Sequence, residues 1–121
     1  MSIMSRLRSF RYAFAGLRLL FSEEHNARIH AGITVAVVLA GVWLRLTADE
    51  WVAVVLCIGM VLAAEAFNSA IERVAEFLTT ERDARIRDIK DLAAGAVLLC
   101  AIAAAIVGLI VFVPHIVYCY V

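Results

Sequence analysis

The stretch WVAVVLCIGMVLAAEAFNSAIE, running from Trp51 to Glu72, decides the fold. From Trp51 to Ala64 it carries no charge, and then Glu65 interrupts it. A membrane-spanning helix needs about 20 largely apolar residues, so Glu65 falls inside the bilayer. A carboxylate there is expensive, and such residues usually serve a function. Asn68, Glu72 and Glu76 follow at helical spacing and share a sector of the same helix. One face therefore carries a polar ladder that starts inside the membrane and climbs out of it.

The rest of the chain agrees with a membrane protein. It has 121 residues, 64% of them hydrophobic, and a mean hydropathy of +0.93. That apolar share exceeds what soluble domains carry, and the length leaves room for one domain, residues 1–121. Three segments are expected to span: about 29–46, about 51–78 and about 92–113, the last without a charged residue. Residues 5–25 mix Arg8, Arg11 and Arg18 with Leu7, Phe10, Phe14, Leu17 and Phe21 at three- to four-residue spacing. This is the pattern of an amphipathic helix lying in the headgroup layer. The expected fold is all-α: a surface helix followed by three transmembrane helices.

Punctuation between these segments is legible. Thr47-Ala48-Asp49-Glu50 is a tight polar turn in which Thr47 or Asp49 caps the next helix. Trp43 and Trp51 flank it, as expected at a membrane interface. Ser22 is expected to cap a helix whose first turn holds Glu23 and Glu24, and Pro114 to end the last helix. Alanines 93, 94, 96, 101 and 103–105 give that helix small faces suited to close packing. Cys57, Cys100 and Cys119 show no metal-ligand spacing and read as polarizable filler.

Charge sets the expected orientation. Arg6, Arg8, Arg11, Arg18 and Arg28 precede or open the first span, and Arg82, Arg85, Arg87 and Lys90 lie between the second and third. The 47–50 turn and the tail after Val113 carry no Lys or Arg. The positive-inside rule puts the N-terminus in the cytoplasm and the C-terminus outside. The basic N-terminal helix suits anionic lipid, and no nucleic-acid partner is expected.

Several polar residues then gather near one depth. If Trp51 marks the outer interface, Glu65 lies roughly 7 Å inside the inner hydrocarbon edge, at 1.5 Å per residue. Glu72 reaches headgroup level and Glu76 water. A half-buried carboxylate can act as a general base, and Glu72 with a second carboxylate can hold Mg²⁺ on phosphates. Glu24 precedes the first span and reaches the same layer. Lys90 and Asp91 stand at the start of the third span, where a lysine can meet a phosphate. The same groups also suit packing: Asn68 bonding across an interface, Glu65 neutral, Glu72 paired with Arg73 or another base, Lys90 snorkelling. His25 and His30 read as interface or packing histidines. There is no glycine-rich phosphate loop and no Ser-His-Asp set.

The segments YAFAGLR (12–18), Glu23-Glu24 to Arg28, AAEAFNSAIE (63–72) and KDLAAGAVLL (90–99) resemble the small bacterial integral-membrane diacylglycerol kinases, especially the undecaprenol kinase branch. The resemblance runs from about residue 9 to Pro114. It implies a homotrimer in the bacterial inner membrane, with active sites shared between chains. It implies transfer of a phosphoryl group from ATP to a membrane lipid alcohol. Glu65 then matches the catalytic base and Asn68 its polar neighbour. Glu24 and Glu72 match the carboxylates that hold Mg²⁺ on ATP, Lys90 and Asp91 the nucleotide-site pair, and Tyr12 an aromatic at the nucleotide end. Two positions depart from the pattern. Glu76 stands where an aspartate is common, and His30 where some diacylglycerol-specific members carry an acid, which leans toward the polyprenol branch.

Two other classes compete. A small oligomeric transporter or channel would line a pore with the ladder, but it calls for polar residues near mid-membrane on several spans, and the third has none. A non-catalytic membrane subunit gives no reason for Glu24, Glu72 and Lys90 to share a depth.

Overall fold

A computed structural model describes residues 2–120, with side chains to Tyr118; Cys119 lies outside the described side chains. The described residues form four helices, α1 (Ile3–Glu23), α2 (His25–Leu44), α3 (Ala48–Leu78) and α4 (Ala84–Tyr120). Among the described residues α2, α3 and α4 are long and apolar enough to cross a membrane. The protein is an all-helical membrane protein. α3 and α4 form the main packed pair, α2 lies against α3, and α1 folds back on the α2–α3 end. The 31 residues of α3 give a rod of about 46 Å, longer than the roughly 30 Å hydrocarbon layer. Its last turns, with Glu72 and Glu76, therefore extend past the apolar zone when the Trp51 end sits at the opposite interface.

The junctions follow from local chemistry. Between α1 and α2 a single residue, Glu24, leaves the helical conformation (φ −97°, ψ 114°). Its N–H donates to Leu20 O at 3.0 Å, and its carbonyl accepts from Arg28 N at 3.3 Å. Ser22 does not cap: its hydroxyl donates back to Leu19 O at 3.3 Å, so the corner forms two residues later than the sequence suggested. α2 then starts at His25 and stops at Leu44, because Arg45 adopts the left-handed conformation (φ 58°). Leu46 N donates to Gly41 O at 3.1 Å, closing the turn in the manner of a Schellman motif.

Thr47 supplies the cap of α3. Its hydroxyl accepts from Glu50 N at 3.3 Å while Glu50 Oε1 accepts from Thr47 N at 2.9 Å, a reciprocal capping box. The last turns of α4 join here, with His115 Nε2 2.8 Å from Glu50 Oε2. Pro114 does not end α4; the helix continues to Tyr120. Proline removes one backbone bond from a helix, and the His115–Glu50 contact anchors the turn that follows it. Beneath this corner Leu46, Val54 and Val111 form a small core with Trp51, Val107 and Phe112 around it.

Gly41 is fixed by this corner. A Cβ there would stand 2.6 Å from the Trp51 ring and 2.9 Å from Leu46 Cδ1. Gly41→Leu is expected to cost about 1–3 kcal/mol, the usual penalty of overpacking, and to lower the thermal midpoint in detergent. An unchanged midpoint would show that α2 and α3 do not approach as described.

At the other end Thr79 and Asp83 shape the α3–α4 loop. Thr79 Oγ1 accepts from Glu81 N at 3.0 Å. Asp83 Oδ1 accepts from Arg85 N at 2.8 Å, and Arg85 Nη2 donates to Asp83 Oδ2 at 3.0 Å. The Arg85 guanidinium, helped by the Arg85 backbone N–H, holds the Asp83 carboxyl below its ordinary range. The contribution of this acid to stability is therefore present above the ordinary carboxylate pKa. It is lost as the pH falls through the depressed value. Asp83→Asn is expected to lower the thermal midpoint slightly at neutral pH, with the gap to wild type closing as the pH falls below about 4, the ordinary Asp value. A gap that persists in acid would mean the Asp83 charge plays no part.

Candidate active site

Glu65 sits on α3 with only 3% of its surface exposed, one of two polar residues buried among the described residues; Ser69 is the other. It faces α2, where His30 Nε2 lies 3.2 Å from Glu65 Oε1. A buried carboxylate without a partner is strongly destabilising, so α2 must supply one at this level. Asn68, one turn further along α3, turns elsewhere. It borders a groove of about 410 Å³ shared with α4, next to Phe67, Ile71, Ala93, Ala96 and Cys100. Its Oδ1 is buried and finds no hydrogen-bond partner among the described residues. Such an orphan acceptor calls for a donor from outside the single chain. Glu65 and Asn68 are thus neighbours on α3 that look toward different helices.

An apolar cavity of about 390 Å³ runs between α2, α3 and α4. Its lining extends from His30 to Phe112 and includes Val61, Cys57 and Ala104. His30 and Thr34 are its polar members, and Thr34 Oγ1 donates to the His30 carbonyl at 2.8 Å. The cavity therefore has its polar members on α2, where His30 touches the buried Glu65, and an otherwise hydrocarbon-like wall.

Two turns beyond Glu65, about 10 Å along α3, stands Glu72. It is half-buried, and among the described residues it pairs with no base. The Glu72–Arg73 pairing of the packing alternative is not formed. Arg73 instead bridges to the α1–α2 corner, 2.7 Å from Glu23 Oε2 and 3.6 Å from Glu24 Oε1. Adjacent positions on the helix point about 100° apart, so Arg73 reaches α1 and leaves its neighbour behind. This bridge brings Glu24 to the level of Glu72. Lys90 and Asp91 line a polar depression of about 600 Å³ with Glu81, Arg82, Asp83 and Arg87. Tyr12 is 70% exposed on α1.

Sequence reasoning missed the roles of His30 and Arg73. The signal for His30 was present: a buried acid on one span requires a basic or donor partner on another. For Arg73 no spacing rule pointed across to Glu23 and Glu24.

A family model described as prokaryotic diacylglycerol kinase matches residues 11–112. The chain belongs to the prokaryotic diacylglycerol kinase family, a family of lipid kinases. Over 107 residues it is 34% identical to the undecaprenol kinase of Bacillus subtilis (strain 168), which covers 88% of this chain and 87% of that protein. It is 41% identical over 107 residues to the diacylglycerol kinase of Synechocystis sp. (strain ATCC 27184 / PCC 6803 / Kazusa). That match takes 88% of this chain but 61% of the longer cyanobacterial protein. The matched region holds Tyr12, Glu24, Glu65, Asn68, Glu72, Lys90 and Asp91.

Proposed function

We propose that the protein transfers the γ-phosphate of ATP to the hydroxyl of a membrane lipid, an undecaprenol or a diacylglycerol. The observation that carries this reading is the buried carboxylate of Glu65 held 3.2 Å from His30, a polar residue lining an apolar cavity. A lipid chain lodged in that cavity brings its hydroxyl to Glu65. Glu65 takes the hydroxyl proton as the lipid oxygen bonds to the γ-phosphorus. The bond from that phosphorus to the β–γ bridging oxygen breaks, and ADP leaves with the electron pair. Asn68, with its unpartnered acceptor, serves the same reaction from the α4 side.

Glu72 and Glu24 suit Mg²⁺. It is bound through one or two carboxylates together with substrate phosphates, and an unpaired half-buried acid such as Glu72 is what a cation neutralises. Bound there, Mg²⁺ would offset the charge that builds on the transferring phosphoryl group. Glu24 is shared with Arg73, so Glu72 is the first ligand and Glu24 the second. Lys90 and Asp91, in a depression rich in arginine, hold the nucleotide, and Tyr12 lies against its outer end.

The single chain also supports a larger assembly. Phe67, Phe77, Leu92 and Leu99 are largely bare, and patches of this extent are covered by lipid or protein. A Cβ at Gly32, Gly59, Gly95 or Gly108 would meet nothing within 4 Å. Those small faces are open to a helix of another chain, which fits a homotrimer with shared sites. α1 exposes Leu7, Phe10, Phe14 and Leu17, as a helix lying in the headgroup layer does. The chain acts as one domain in the bacterial inner membrane, with its N-terminus in the cytoplasm and its C-terminus outside.

The test is ADP release by purified protein in mixed micelles with ATP and Mg²⁺. Release that rises only when a lipid alcohol is added supports the reading. Release indifferent to lipid, or ion flux through liposomes without ATP, overturns it.

A further inference from the structure

We propose that His30 is the positioning residue for Glu65, holding one carboxylate oxygen so that the other meets the lipid hydroxyl. This deepens the lipid-kinase reading and rests on it. The geometry comes first. His30 Nε2 stands 3.2 Å from Glu65 Oε1, and no other base lies within ion-pair distance of Glu65 among the described residues. An imidazole nitrogen and a carboxylate oxygen that close cannot face each other as two lone pairs. At least one proton lies between them, on Nε2 or on the carboxyl. A general base needs the first arrangement, with Nε2–H directed at a carboxylate.

His30 fixes more than charge. A carboxylate on a glutamate has three rotatable bonds, and an unheld one samples many orientations. Engaging Oε1 from α2 limits that freedom and leaves Oε2 for the substrate. The same imidazole borders the apolar cavity, so a hydroxyl arriving along it meets His30, 3.2 Å from the Glu65 carboxylate. Misplacing a reacting group by about 1 Å can cost about 100-fold in rate.

The pair is also electrically secluded. α4 contributes no charged residue between Leu92 and Val113. Cys57 of α3 lines the cavity, and Cys100 of α4 borders the neighbouring groove. On α2 the next cation, Arg28, is exposed and turns its Nη1 to Ser22 O at 3.5 Å. On α3 the next acid, Glu72, lies about 10 Å away. Thr34 spends its hydroxyl proton on the His30 carbonyl.

The experiment compares His30→Leu and His30→Gln with wild type, each as the full chain in mixed micelles. The glutamine amide can still donate toward Glu65, and leucine cannot. The expected result is a fall in kcat of about 100-fold for His30→Leu with KM for ATP unchanged. Most of kcat should return in His30→Gln, and the acid limb of its pH–rate profile should move. A merely structural role would instead lower the thermal midpoint and leave the profile of the surviving enzyme in place. Should His30→Leu fail to fold, His30→Gln decides: a displaced limb supports the proposal, and an unchanged limb overturns it. Wild-type kcat in a folded His30→Leu also overturns it while the kinase reading stands. Wild-type protein that phosphorylates no lipid removes the reading itself, before any variant is compared.

Discussion

Glu65→Gln is expected to lower lipid phosphorylation by about 100- to 10,000-fold, the range over which a positioned general base contributes. The substitution keeps the shape of the side chain and an acceptor at the position facing His30, so α2 and α3 should still pack. It removes the site for the hydroxyl proton. The assembly size, the thermal midpoint and binding of ATP should therefore stay close to wild type while turnover is lost. The competing account treats Glu65 as a group that only joins α2 to α3. That account predicts the reverse: a dispersed or less stable protein whose remaining folded fraction has normal specific activity. Size-exclusion chromatography beside single-turnover kinetics separates the two.

Glu72→Gln carries the second large effect. Glu72 is the half-buried acid that pairs with no base among the described residues. Removing one group that stabilises charge on a reacting centre costs about 100- to 1,000-fold. The loss should be greatest at low Mg²⁺, and higher Mg²⁺ should recover part of it, since the ligand set is weakened and not abolished. Glu24→Gln should show a milder form of the same shift, because Glu24 already shares its charge with Arg73, 3.6 Å away. The measurement is the Mg²⁺ concentration giving half-maximal rate at saturating ATP. An unchanged requirement in Glu72→Gln would take this residue out of the metal site.

The helices were readable because their causes are local. Apolar length marked α2, α3 and α4, and the Thr47–Glu50 box is a four-residue signal that the structure forms as written. Errors arose where a distant group decides the outcome. Pro114 was expected to stop α4, but His115 meets Glu50 from the other side of the bundle and the helix carries on. Ser22 had a choice of bonding forward as a cap or back to Leu19, and local composition does not set that balance. The candidate site divides the same way. A carboxylate inside an apolar run announces itself, so Glu65 could be found from one helix alone. Its partner His30, and the attachment of Arg73 to Glu23 and Glu24, depend on how helices rotate against one another. Spacing within a single helix says nothing of that rotation. Tyr12 is exposed, and Lys90 and Asp91 line a depression whose other lining residues are not among the candidates. In a trimer with shared sites, neighbouring copies would bring them together.

The most direct test of the central claim is transfer of labelled γ-phosphate from ATP in mixed micelles, with undecaprenol and diacylglycerol offered separately. Label should appear in the organic-soluble product of one of these lipids with wild-type protein and vanish with Glu65→Gln. Folded, oligomeric wild-type protein that labels neither lipid would contradict the account.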